Sequence, residues 1–89
     1  MLFRILTEKI ENSVIGQPQR TIDLVAKFFD GFTMLEGKGY WQGKPEGCLI
    51  FEIETEKKDP VLWLANQIKL QNNQQAVLVE VCKSTKYMV

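Results

Sequence analysis

Apolar and polar residues alternate with period two through residues 2–11, LFRILTEKIE. Phe3, Ile5 and Thr7 share one side of an extended segment, and Leu2, Arg4, Leu6 and Glu8 share the other. Apolar groups on both sides are what a central strand needs. A polar connector over residues 12–17 precedes Pro18, whose missing N–H suits a first helical position. Ile22, Val25, Ala26 and Phe29 then recur at i, i+3, i+4 and i+7. Leu24 and Phe28 widen this stripe, and Gly31 stands where a left-handed helix cap belongs. An extended segment restarts at residues 32–35 and runs into residues 37–47, GKGYWQGKPEG. Glycines, a proline, aromatics and lysines crowded between alternating segments predict a decorated hairpin, with the glycines supplying bulges and twist. From residue 48 to 55, Leu49, Phe51 and Ile53 point one way, and Cys48, Ile50, Glu52 and Glu54 the other. Asp59 as N-cap and Pro60 as first helical residue open a second helix on Val61, Leu64, Ala65 and Ile68, ending at Asn72 and Asn73. Val77, Val79 and Val81 alternate with Ala76, Leu78, Glu80 and Cys82 in a last strand, followed by a short tail over residues 84–89.

This order predicts an α+β chain, a ferredoxin-like βαββαβ sandwich. Its antiparallel four-stranded sheet has the order 4-1-3-2 with two helices on one face, built as a single domain from residues 1–89. The helix-free face would carry Leu2, Leu6, Ile50, Ala76 and Leu78 beside Arg4, Glu52 and Glu80. So many aliphatic groups predict a covered face, which makes Leu2, Arg4, Leu6, Ile50, Glu52, Leu78 and Glu80 the candidate oligomer interface. Arg4 would reach Glu52 or Glu80 across the sheet.

Composition narrows the functions. At 89 residues the core is thin, so association would add stability. Eleven Lys and Arg balance eleven Asp and Glu with no long like-charge run, so nucleic acid and acidic lipid are not expected partners. No apolar stretch approaches the ~20 residues of a membrane span, and Arg4 interrupts the first apolar run too early for a signal peptide. A cytoplasmic location is expected. There is no histidine, and Ser13 and Ser84 are the only serines. A Ser-His or Cys-His hydrolase is therefore dismissed, and no catalytic residue, cofactor or metal site is assigned. Cys48 and Cys82 fall at opposite ends of the predicted sheet and read as small apolar fillers. Glu52, Glu54 and Glu56 would share a side as a hard cation requires, but the wetter side of a strand explains them as well. A ferredoxin-like nuclease with an acidic residue after the first strand has Glu8 or Glu11 to offer, and the neutral net charge counts against it.

The hairpin offers the candidate ligand site, formed by Lys38, Gly39, Tyr40, Trp41, Gly43 and Lys44. Its glycines allow close backbone approach, its lysines meet an anion and its aromatics stack on a ring. Anchoring of Tyr40 and Trp41 on a neighbouring subunit is the preferred alternative, as is packing for Trp63.

The plan of helix, GFTMLEGKGYWQGKPEG and alternating strand resembles the CutA and PII signal-transduction superfamily. Tyr40, Trp41, Gln42, Gly43 and Lys44 are similar to the aromatic, glycine and lysine segment of the CutA hairpin. The resemblance implies a homotrimer with sheets facing inward and small ligands in the clefts between subunits. The chain departs from CutA before its last strand, where residues 72–77, NNQQAV, stand in place of a His-Pro-Tyr-Glu stretch. Residues 28–81 are also similar to a group of small bacterial and phage domains. The shared segments are Gly31-Phe32-Thr33, Gly39-Tyr40-Trp41 and Gln74-Gln75-Ala76-Val77-Leu78. The expectation is a non-catalytic binding or regulatory module with a small-molecule site, for a nucleotide or anion, between subunits. The first alternative is a phage or mobile-element protein-interaction factor that binds and inhibits a host protein. The second is a metal-dependent enzyme relying on Glu52 and Glu54.

Overall fold

Phe3, Ile5 and Thr7 turn inward along β1 (Leu2–Glu8), and the residues between them stay half-buried on the other side. α1 (Gln19–Phe28), β2 (Thr33–Trp41), β3 (Lys44–Glu54), α2 (Lys58–Gln71) and β4 (Leu78–Cys82) follow. The computed structural model describes residues 1–9, 18–83 and 87, with Trp41 described by its backbone alone. The expectations for the connector over residues 12–17, for Glu11, Ser13 and Ser84, and for the tail apart from Tyr87 lie outside the described residues. The expected α+β architecture is present: one antiparallel sheet of four strands, in the order β2-β3-β1-β4, and two helices.

Both helices cover the same face. Val25 of α1 and Val61, Leu64, Ala65 and Ile68 of α2 bury themselves against Phe3, Ile5, Leu49, Phe51 and Ile53 of the two central strands. Each of these side chains larger than alanine contributes about 1.5–3 kcal/mol when fully removed from water. Phe32 adds a tilted ring contact to Phe51, with centroids 6.0 Å apart. Among the described residues, no helix is long and apolar enough to cross a membrane.

The helix ends correct three expectations. Pro18 is the N-cap of α1 rather than its first residue, and its carbonyl accepts the Ile22 N–H at 3.0 Å. The helix stops before Gly31, because Phe29 is already extended (φ −137°, ψ 131°) and donates to the Val25 carbonyl. This early exit lets Phe29 and Phe32 both pack against the core, so no left-handed glycine is required. In α2 the N-cap is Lys57, not Asp59, and it makes no side-chain cap. Asp59 and Pro60 lie inside the first turn, where a carboxylate complements the helix dipole and an absent N–H leaves nothing unpaired. The expected Asn72 and Asn73 stop is real and has a mechanism. Asn73 takes φ 53°, its N–H donates to Leu70 at 3.3 Å, and the Gln74 N–H donates to Lys69 at 2.9 Å, a Schellman closure.

The hairpin is longer and more regular than its glycines suggest. β2 and β3 pair without a break from Thr33 opposite Glu52 to Trp41 opposite Lys44, so the expected bulges are absent. Gly37, Gly39 and Gly47 lie inside strands, and the turn is Gln42 and Gly43 alone. Their φ values of 51° and 76° make a type I′ turn, whose twist matches that of the flanking strands. β1 ends opposite Cys48, and the Lys9 N–H donates to the Gly47 carbonyl at 3.0 Å. Beyond this point residues 38–41 and 44–47 project as a two-stranded ribbon.

Candidate functional site

Strand register assembles the helix-free face from residues far apart in the chain. Leu6 lies opposite Leu78 on one side and Ile50 on the other, and Ile50 lies opposite Leu35. One aliphatic row therefore crosses all four strands. Its outer members are open to water, Leu78 at 58% and Leu35 at 46% exposure, while Leu6 and Ile50 are half-buried. Two residues along, Glu80, Arg4, Glu52 and Thr33 form the next row. Arg4 donates from Nε to Glu52 Oε2 at 2.8 Å and from Nη1 to Cys82 Sγ at 3.5 Å. Of the two carboxylates expected to compete for it, Glu52 makes the contact. That bond to Glu52, with the fields of Cys82 and Glu80, holds the Arg4 pKa above its ordinary value. Leu2 falls in the outermost row, between Cys82 and Glu54.

Leu35 and Glu46 belong to this face and are missing from the expected set, because a run of glycines reads as turn rather than strand. Continuing the alternation from Leu35 through Gly37 and Gly39 would have found them. Gly37 has its own reason for being glycine: a Cβ there would lie 3.3 Å from Cys48 Sγ and 3.6 Å from Ile50 Cδ1. The missing side chain leaves room for both.

The six hairpin residues do not converge. Lys38, opposite Gly47, and Tyr40, opposite Pro45, alternate with Gly39 and Trp41, so Lys38 and Lys44 fall on opposite sides of the ribbon. Within one chain they form no anion clamp. Gly43 serves the turn, and Tyr40 is 71% exposed. Beside the ribbon base, a groove of ≈ 600 Å³ is lined by Leu6, Leu78, Glu8, Glu46, Tyr40 and Gln74, among others. At its floor Thr7 Oγ1 donates to Gln74 Oε1, which also accepts from Asn72 Nδ2 at 3.3 Å.

The remaining candidates separate. Glu52 faces Arg4, whereas Glu54 and Glu56 share the Met1 amino group at 3.4 and 3.1 Å, so the three alternating carboxylates do not gather at one site. Cys48 is opposite Glu8 and Cys82 opposite Leu2, six positions apart on β1 and about 20 Å at ~3.4 Å per residue. Both are free and half-buried. Trp63 meets Phe28 edge-on with centroids 5.3 Å apart, in keeping with packing, while staying 59% exposed.

No protein-family model and no curated protein matches this chain. Among solved structures it is similar to "De novo designed protein Foldit4", with a TM-score of 0.55 and 15% identity over 94% of each chain. That likeness concerns the fold alone.

Proposed function

We propose that this chain is a non-catalytic binding module of ferredoxin-like fold whose working surface is the helix-free face of its sheet. The ferredoxin-like reading is supported by the strand order, which is 4-1-3-2 counted from the β4 edge, and by the packing of both helices on one side. The docking role is carried by one observation, the row of Leu78, Leu6, Ile50 and Leu35, continuous across the sheet and exposed at both ends. A sheet face meant for water alternates to polar residues; this one keeps an apolar strip. Protein partners fit it better than small anions, because the adjoining groove is lined by Glu8 and Glu46.

Self-association through the same strip, as in the homotrimer implied by the CutA and PII resemblance, is a second reading. The thin core favours it: among the described residues, ten buried apolar side chains form the core. Light scattering over a concentration series, on the parent and on Leu78→Glu, tests both. A mass above one chain that Leu78→Glu returns to one chain supports self-association. A single-chain mass in both removes it and leaves the partner reading. The docking role itself fails if Leu35→Glu and Leu78→Glu leave every association of the protein unchanged.

A further inference from the structure

We propose that the occupant of the helix-free face is a basic amphipathic helix of a partner protein. It lies along the aliphatic row, with its Lys and Arg side chains over the carboxylates on either side. This rests on the reading of that face as a docking surface and adds what docks there.

Charge decides the partner. By register the face carries Glu8, Glu46, Glu52, Glu54 and Glu80 against Arg4, the Met1 amino group 3.4 Å from Glu54 and, at the ribbon tip, Lys44, which leaves carboxylates in excess. Arg4 is already directed to Glu52. A second copy laid on this face would bring the same excess of carboxylates against it, whereas a basic surface is complementary. The neutral net charge of the whole chain conceals this asymmetry.

Dimensions select a helix. Three strand spacings of ~4.8 Å give the row a length of about 14 Å, which is about nine residues of helix at ~1.5 Å each. Apolar side chains at i, i+3, i+4 and i+7 cover that length on one side. Glu52 and Glu80 lie two residues to one side of the row and Glu8 two residues to the other, about 7 Å away at ~3.4 Å per residue. A helix about 10–12 Å across places its flanking cations over those rows. At one side of the row the groove of ≈ 600 Å³ has an apolar wall from Leu6 and Leu78 and carboxylates from Glu8 and Glu46, with Tyr40 at its edge. That combination suits the stem and head of one Arg or Lys.

The test titrates isotope-labelled protein with three synthetic peptides of about 14 residues, or four helical turns. One is Leu/Lys with a helical apolar stripe, one is its scramble, and one is the striped Leu/Glu counterpart. The striped basic peptide is expected to shift the amides of Leu6, Leu35, Ile50 and Leu78 and to gain helical circular dichroism. It should bind several-fold more weakly to Glu46→Gln/Glu80→Gln and at least tenfold more weakly to Leu78→Glu. The scramble should leave these amides in place. The inference is overturned if the scramble acts like the striped peptide, if the shifts map elsewhere, or if the Leu/Glu peptide binds as well. In the last case the docking face survives and its charge preference does not. If no peptide binds and Leu78→Glu dissolves an oligomer, the occupant is a second copy. If no peptide binds and no oligomer exists, the docking face falls with it.

Discussion

Gln42 and Gly43 hold the only positive φ angles in the ribbon, and they set its geometry. A Cβ at Gly43 meets nothing within 4 Å, so the demand there is for backbone conformation and not for space. Gly43→Ala is expected to lose about 1 kcal/mol, the usual cost of placing an L side chain in the left-handed region. Gln42→Asn should gain a few tenths of a kcal/mol, since Asn-Gly is the preferred type I′ pair. Urea unfolding reads both, and the opposite signs are the signature of this turn; equal signs would refute it. Gly37 answers to the other constraint, with Cys48 Sγ 3.3 Å from where its Cβ would be. Composition marks both positions as glycine without separating the two reasons. That is why residues 37–47 read as a bulged, decorated hairpin when most of them are unbroken strand.

At the scale of elements, the periodicities were sufficient for both helices and for β1, β3 and β4, because each buries one stripe or one face, whereas β2 was legible only at its start. Phe51 is the clearest case, central in β3 and packed in the core between Ile5 of β1 and Met34 of β2. Phe51→Ala should cost about 3–5 kcal/mol, a large share of the stability of a domain this size, and a shift in denaturant midpoint would show it. Helix ends were less legible. Asp59 and Pro60 suit an N-terminus at more than one register, and tertiary packing chose Lys57 as the cap. Lys57 already has extended φ and ψ but no capping oxygen, so Lys57→Ser should raise stability by about 1 kcal/mol. The N–H left for a serine hydroxyl there is that of Asp59, since Pro60 has none and the Lys57 N–H already donates to the Thr55 hydroxyl at 3.3 Å, so no gain in thermal unfolding would mean that solvent satisfies the Asp59 N–H equally well. Apart from Leu35 and Glu46, the sheet face was legible as a set because alternation and strand order fix which residues share it. Its partners in register were not, since a shift of pairing by two residues preserves the face and changes every neighbour. Thus Arg4 could be placed between Glu52 and Glu80, but the choice of Glu52 needed side-chain geometry.

For the whole molecule, the same surface makes two kinds of association respond to salt in opposite directions. Carboxylates on two copies repel across a shared interface, so screening should strengthen self-association. Carboxylates facing a basic partner attract it, so screening should weaken that complex. The screening length falls from about 10 Å at 0.1 M salt to about 3 Å at 1 M, shorter than the ~7 Å between the aliphatic row and its flanking carboxylates. The apolar contribution survives this change, so neither association should vanish; only the ionic part moves. Sedimentation of the protein alone and its titration with the striped basic peptide, both at 0.1 M and 1 M NaCl, give the two signs. Glu46→Gln/Glu80→Gln should flatten both responses while leaving the fold intact, because Glu46 is exposed, Glu80 is half-buried on the sheet surface, and neither belongs to the core. Salt dependence of the same sign for both associations would mean that they use different surfaces, and the acidic face would then have no part in one of them.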